Sequence, residues 1–403
     1  MAYRMFRLRP IFLFLSLLSS APAFGQASQA AAIRIGGSEL RPSVELEFGQ
    51  SDNALRQADD EIDEQFVIFK PTLEWSADRG VTRLGASYEG AFKTGDLDET
   101  EFADSTVAGE ISTEFNKRSR IDANASIEVG HQELGADVFT RIDPLAFDQV
   151  EFFRQQLSVR HTFGASQARG QIISRLNIDN LDYTNNDSVT ENSSRLLFSP
   201  SIAFSFRVSQ DTRTFVSLGA QQVDRAANGL DRTSIDADVG ASWEISGRTS
   251  GSAQIGVSQA SLDGGEDTTE VTLQVGFDFE PTSFSRFDFD ISRDFFNNGS
   301  GSLVEAAVNN RLAVRWRHDY SSRVYHIARL SFQNVERTCP AVGDETADFR
   351  LEIGVQVRRW IALGFGGDFE TRTNSSCPGL LDETLLAPDY DRVSGFAFLR
   401  VSL

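Results

Sequence analysis

The chain has 403 residues, a formal net charge of −20 and a hydrophobic share of 40%. The acidic balance offers no phosphate-binding stripe and excludes nucleic acid as a partner. Beyond the N-terminal leader no run approaches the ~20 continuous apolar residues of a membrane helix. These bulk figures do not test for a membrane sheet, in which only every second residue meets lipid.

The N-terminus carries Arg4, Arg7 and Arg9, then an apolar run over residues 11–18, then Ala21-Pro22-Ala23. That order of basic, apolar and small-residue regions is a secretory signal peptide over residues 1–23, with cleavage after Ala23 or as late as Ala27. No Cys follows the apolar run, so no lipoprotein anchor is expected. Losing the leader's three arginines takes the net charge of −20 to about −23. Residues 24–38 read as a short linker, with no soluble domain, plug or periplasmic module before the first strand.

From residue 39 to 403 apolar and polar residues alternate with period two, the pattern of half-buried strands. The first strand is expected at 39–49, followed by an acidic break at 50–64. The second, at 65–76, puts Val67, Phe69, Leu73 and Trp75 on one face and Lys70, Thr72 and Glu74 on the other. Leu84, Ala86, Tyr88 and Phe92 mark the third strand, Val107, Ile111 and Phe115 the fourth, and Ile121, Ile127 and Val129 the fifth. Phe153, Leu157, Val159 and Phe163 mark the sixth, and Ile172, Leu176 and Ile178 the seventh, which is the least regular. Strands eight to twelve follow at Phe198–208, Val216–220, Ile235–245, Ala253–257 and Val271–279 in the same alternation. Phe287, Phe289 and Ile291 mark the thirteenth, Leu312, Val314 and Trp316 the fourteenth, and Ala328, Leu330 and Phe332 the fifteenth. Phe349 to Val357 mark the sixteenth, Ile361 to Phe369 the seventeenth and Val393 to Leu403 the eighteenth.

The breaks alternate in length. Tight ones at 77–80, 116–119, 164–167, 209–212, 246–248, 281–283, 319–322 and 358–360 follow every even strand and are rich in turn-forming Gly, Ser, Asp and Pro. Longer, acidic ones follow the odd strands, the longest near 133–149 and 373–389. Eighteen strands is an even number, as a closed antiparallel barrel with both ends on one side requires. Closure matters because an open edge in hydrocarbon leaves backbone groups unpaired at several kcal/mol each. The expected fold is therefore all-β: a transmembrane antiparallel up-and-down β-barrel over residues 39–403, of 16–18 strands, with short periplasmic turns and longer extracellular loops. The final segment Gly395 to Leu403 resembles the terminal strand by which outer-membrane proteins are recognised for assembly, with Leu403 where an aromatic is usual.

By parity the lumen face gathers charge. Arg311, Arg315, Arg317, Arg323, Arg329, Arg350 and Arg358 turn inward on strands fourteen to sixteen. Asp236, Asp238, Glu244, Glu270, Asp278, Asp288 and Asp290 turn inward on strands ten to thirteen. A basic arc beside an acidic one gives a transverse field that selects solutes by charge; cross-strand pairing that merely stabilises the sheet is the competing reading. Phe396 and Phe398 also face inward. His131, His161, His318 and His326 have no Ser or Asp at a hydrolase spacing, and no zinc, EF-hand or phosphate-cradling motif stands out. No enzyme activity, cofactor or metal is expected. Cys339 and Cys377, each before a Pro, fall in long breaks on one side, where an oxidising compartment favours a disulfide over two free thiols.

Arg41-Pro42, Ser51-Asp52-Asn53, Phe69-Lys70-Pro71, Leu181-Asp182-Tyr183, the stretch from Ser199-Pro200 to Asp211-Thr212, and Arg315-Trp316 together resemble the outer-membrane family called putative β-barrel porin type 2. Members are commonly linked to exopolysaccharide or capsule clusters. The resemblance implies a porin-like channel or accessory barrel in the bacterial outer membrane serving polysaccharide export. A general diffusion porin and a closed structural or surface barrel stand as alternatives. Implied partners are outer-membrane lipid and lipopolysaccharide, the barrel-assembly machinery acting on the C-terminal strand, and polysaccharide or export-complex proteins.

Overall fold

The computed structural model describes residues 32–57, 61–132, 149–185, 194–226, 231–262, 267–296, 307–337, 342–375 and 389–402. In chain order the strands are β1 (Ile33–Ile35), β2 (Ser38–Ser51), β3 (Glu64–Arg79), β4 (Thr82–Gly95), β5 (Phe102–Asn116), β6 (Ser119–Gln132) and β7 (Val150–Phe163). There follow β8 (Gly170–Tyr183), β9 (Arg195–Arg207), β10 (Thr212–Arg225), β11 (Arg232–Ser246), β12 (Thr249–Leu262) and β13 (Thr268–Thr282). The set ends with β14 (Ser285–Phe296), β15 (Ala307–Asp319), β16 (Val324–Arg337), β17 (Val342–Arg358), β18 (Ile361–Ser375) and β19 (Tyr390–Ser402).

Strands β2 to β19 are the expected eighteen, each antiparallel to its sequence neighbour. The ring closes where β19 pairs with β2, from Ser394 opposite Ser51 to Ser402 opposite Ser43. No edge is left open to hydrocarbon, which is what makes a sheet viable in a bilayer. The strands run from 12 residues in β14 to 17 in β17. At ~3.3 Å per residue the shortest still extends about 40 Å, enough to cross a bilayer core at the usual tilt.

The alternation sorts as period two demands. On β9 to β11, Phe204, Val216 and Ile235 are 56%, 57% and 63% exposed, while Ala203, Ser217 and Ser234 beside them are at most 3% exposed. An apolar face without a protein partner is a lipid face. Tight turns join β3 to β4, β5 to β6 and so on to β17 and β18, on the same side as the start of β2 and the end of β19.

Three details depart from the sequence reading. The predicted linker contains a strand: β1 folds back across Gly36-Gly37 and pairs with Ser38 to Leu40 of β2, covering the stretch of edge that β19 does not reach. Gly36 takes a positive φ of 63° there, which its missing Cβ allows at no cost. Strand β17 begins at Val342, seven residues before the first apolar marker Phe349, because the backbone of residues 343–348, which carry no large apolar side chain, continues the ladders with β16 and β18. The seventh predicted strand, whose alternation is the least regular, extends over 14 unbroken residues as β8. The leader, Cys339, Cys377, Leu403 and most of the two longest loops lie outside the described residues, and with them the expected disulfide.

Candidate functional site

The inner wall holds the charge. A single row of cross-strand partners runs Asp278, Asp288, Arg315, Arg329, Arg350 and Asp368 across β13 to β18. Acidic residues neighbour each other at one end and arginines at the centre. Like charges directly opposite destabilise a sheet, so this order is not what pairing alone would select. At the acidic end Arg286 reaches Asp278 at 3.4 Å and Asp288 at 2.9 Å, and the Asp278 side chain stays 49% exposed to the lumen.

Past the arginines the wall becomes a dense ionic cluster on β17 to β19 and β2 to β4. Arg350 Nη2 lies 3.5 Å from Glu47, which Lys70 also contacts, and Arg350 Nη1 lies 4.0 Å from Asp368. Arg392 donates to Asp368 at 3.3 Å and approaches Glu370 at 2.7 Å. Arg400 holds Glu45 at 2.5 Å across the closing seam, and Lys93 holds Glu64 at 2.7 Å. Such groups tolerate burial because each has an opposite partner.

The aromatic residues on this wall lie flat. Phe396 and Phe398 stand in register with Gly366 and Gly364, and Tyr325 with Gly354. A Cβ on any of these three glycines would collide with the ring beside it. A cation lies over each ring: the Arg350 guanidinium carbon is 4.1 Å from the Phe396 ring centre, Arg400 5.1 Å from Phe398, and Arg317 5.0 Å from Tyr325. Glycine, ring and cation form a layered unit held by cation–π attraction.

The first long break was expected to face outward, and its described start instead turns in. After β2, Asp52 accepts from the Val393 amide at 2.8 Å and Asn53 donates to the Asp391 carbonyl at 3.0 Å. Arg56, with a positive φ of 54°, donates to Glu370 at 3.3 and 3.4 Å, and Tyr390 donates to the same carboxylate at 2.7 Å. Asn53, Leu55 and Arg56 are at most 3% exposed. The buried carboxylate of Glu370 explains the inward turn, since it gathers donors from the first loop and from β19.

Of the residues proposed to line the lumen, Arg311, Arg315, Arg317, Arg329, Arg350, Asp236, Asp238, Glu270, Asp278, Asp288 and Asp290 sit on the inner face by register. The other three lie at the rim. Arg323 precedes β16 and lies exposed in the turn, while Arg358 and Glu244 lie exposed at strand ends where the ladders shift register, between Gln356 and Arg358 and between Glu244 and Ser246. The picture of one basic and one acidic arc is also incomplete. Further inward arginines, Arg154, Arg160, Arg175, Arg195, Arg225 and Arg232, stand on β7 to β11. The same parity count applied to those strands would have found them.

The histidines do meet serines. His161 Nε2 lies 3.0 Å from Ser119 Oγ, and His318 Nδ1 lies 2.6 Å from Ser285 Oγ. Both pairs lie on the outer face beside the tight turns, where His318 and His326 join Trp316 and Tyr320 in an aromatic cluster. Tyr and Trp of this kind mark a membrane interface. Among the described residues no group of three or more His, Cys, Asp or Glu is arranged to hold a metal ion.

Solved structures similar to the chain include the outer membrane protein OpdK from Pseudomonas aeruginosa, at 12% identity and a TM-score of 0.45, covering 90% of this chain and 99% of that one. The FrpB iron transporter from Neisseria meningitidis, F5-1 variant, is similar at 10% identity and a TM-score of 0.47 over 86% of this chain. The chain spans only 64% and 62% of two FrpB structures, less than two thirds of their length. The siderophore receptor PirA from Pseudomonas aeruginosa is similar at 8% identity and a TM-score of 0.42, covering 90% of this chain and 80% of that one. No curated protein matches. The family described as putative beta-barrel porin 2 matches residues 26–377, and the chain therefore belongs to it, as a porin-like outer-membrane barrel and not an enzyme.

Proposed function

We propose that the chain is a porin-like channel that passes charged solutes, working beside the export of surface polysaccharide. The observation that carries this reading is the charged row from Asp278 to Asp368 on the inner wall, whose acidic end stays open to the lumen. Opposed charge across a water-filled lumen orients a solute with a dipole or a net charge and sets its preference. The link to polysaccharide rests on the family resemblance. Phe396 and Phe398 do not offer open faces for stacking sugars, because Arg350 and Arg400 cover them. Recognition of a saccharide would therefore use its carboxylates and hydroxyls.

The leader is removed after Ala23 or Ala27, and the C-terminal strand β19 is the signal read by the assembly machinery. Lipid and lipopolysaccharide surround the outer face. A lumen closed by ion pairs is the second reading, favoured by the first loop tucked against Glu370. Single-channel recording of the refolded barrel, with and without acidic oligosaccharide, tests both. Steady conductance reduced by the oligosaccharide supports the channel for charged saccharides. Conductance indifferent to it leaves a general diffusion porin. Silence from a barrel folded by heat-modifiable gel mobility supports the closed lumen.

A further inference from the structure

Away from the dense cluster, on β7 to β10, two pairs of inward arginines stand directly opposite each other. Arg160 on β7 is the cross-strand partner of Arg175 on β8, and Arg225 on β10 is the partner of Arg195 on β9. Arg232 on β11 is the partner of Val223, which stands two residues before Arg225 on the same face of β10. Partners directly opposite have Cβ atoms about 5 Å apart, and like charges there destabilise the sheet.

Among the described residues no carboxylate makes a side-chain hydrogen bond or ion pair with Arg160, Arg225 or Arg232. Asp122, in register with Arg160, is held by Arg120 at 2.7 Å. Asp179 is held by Arg154 at 2.5 Å. Asp231 accepts from the backbone amide of Arg225 at 2.8 Å. Arg160 and Arg232 are 7% and 4% exposed, and Arg232 Nη2 donates to Gln221, yet Arg160 Nε, Arg225 Nη2, and Arg232 Nε and Nη1 have no hydrogen-bond acceptor among the described residues. Buried guanidinium N–H groups without acceptors cost free energy that folding alone does not return. A third opposed pair, Arg207 and Arg213, shows the structural use of such residues. Both bind the turn between β7 and β8, Arg207 through the Ser166 carbonyl at 2.9 Å and Arg213 through the same oxygen at 2.7 Å. The two upper groups hold no turn.

We infer that the inner wall of β7 to β11 is an anion-binding track with two stations: Arg195, Arg225 and Arg232 at the long-loop mouth, and Arg160 with Arg175 deeper in the lumen. Their ligand class is solutes bearing carboxylate or phosphate oxyanions, because long guanidinium side chains rooted on Cβ atoms about 5 Å apart can close on one oxyanion. Arg175 faces Ser201 on β9, six residues along that strand from Arg195, so the stations lie about 20 Å apart. An acidic oligomer of that span would engage both, and a small dianion would step from one to the other. This inference deepens the channel reading, and rests on it, by naming the charge of the cargo.

The test uses the full mature chain refolded in detergent and titrated calorimetrically with inorganic pyrophosphate. The unsubstituted barrel should bind. Arg160→Gln/Arg175→Gln and Arg225→Gln/Arg232→Gln should each weaken binding roughly tenfold or more, the worth of one charge-assisted hydrogen bond. The charge-matched variant Arg83→Gln/Arg118→Gln, both at the tight-turn rim, should not. The lumen variants should also resist urea at least as well as the parent, because they relieve repulsion and desolvation, a result that a structural role would reverse. Absence of binding by the folded parent, equal loss in the rim variant, or failure of the lumen variants to fold would each overturn the inference. Conductance is recorded separately. A silent barrel that binds pyrophosphate keeps the track and removes the channel, and a conducting barrel that does not bind it does the opposite.

Discussion

Lys93→Met should destabilise the barrel more than Arg350→Met, although Arg350 touches more of the ionic cluster. Lys93 Nζ lies 2.7 Å from Glu64, with the two side chains 1% and 2% exposed. Once Lys93 is gone, Thr100 still donates a hydrogen bond to the Glu64 carboxylate, but a hydroxyl carries no charge to balance it. Breaking a buried pair so that one charge loses its counterion costs about 3–5 kcal/mol. Arg350 differs because its partners are shared. Glu47 keeps Lys70, and Asp368 keeps Arg392 at 3.3 Å. The ion pairs Arg350 itself makes are long, 3.5 and 4.0 Å. Its stacking on Phe396 at 4.1 Å is partly replaced by the Met thioether, which gives ~0.3–1.5 kcal/mol against an aromatic ring. The expected cost is about 1–2 kcal/mol, one net hydrogen bond to a charged group at most. Equilibrium urea unfolding in phospholipid vesicles, followed by tryptophan fluorescence and heat-modifiable mobility, reads both. A loss for Arg350→Met equal to or greater than that for Lys93→Met would refute the argument that shared counterions protect the cluster.

Gly354→Val should cost about 1–3 kcal/mol by forcing the Tyr325 ring off the wall, and Tyr325→Ala in the same chain should recover part of it; unfolding midpoints of the two single variants and the double variant measure that coupling. Ile255→Arg places a charge on the lipid face near mid-strand and should cost about 2–4 kcal/mol, whereas Gln254→Arg, on the lumen face beside it, should fold normally; heat-modifiable mobility after refolding separates them. Arg56→Ala removes the ionic anchor between the first loop and Glu370, so limited proteolysis should cut that loop several-fold faster while the barrel stays intact.

The barrel was legible because period two is a local property. Each strand needed only its own residues, such as Ile127 and Val129 outward beside Glu128, to declare its faces. Parity carries least at strand ends. Arg358 lies just past a ladder shift and Glu244 at the last regular pair before one, so both are exposed at the rim. The inward first loop was illegible for a different reason. Its anchor, Glu370, is 314 residues away in sequence, and no local pattern reports such a contact. The basic stations on β7 to β11 were within reach of parity, but their significance depends on register. Only the ladder shows that Arg160 stands between Asp122 on one side and Arg175 on the other.

The seam between β19 and β2 has a consequence for assembly. It joins the two ends of the barrel, with Arg400 bonded to Glu45 across 355 residues of chain. Until the last strand has been synthesised and exported, the edge of β2 beyond Leu40 has no neighbour on that side. Residues 33–35 shield only its first three positions. Closing so long a loop is the slowest contact to form by diffusion. The unfinished chain thus carries an adhesive strand edge through an aqueous compartment, and must be held apart from its own kind until the final strand of 13 residues arrives to seal it.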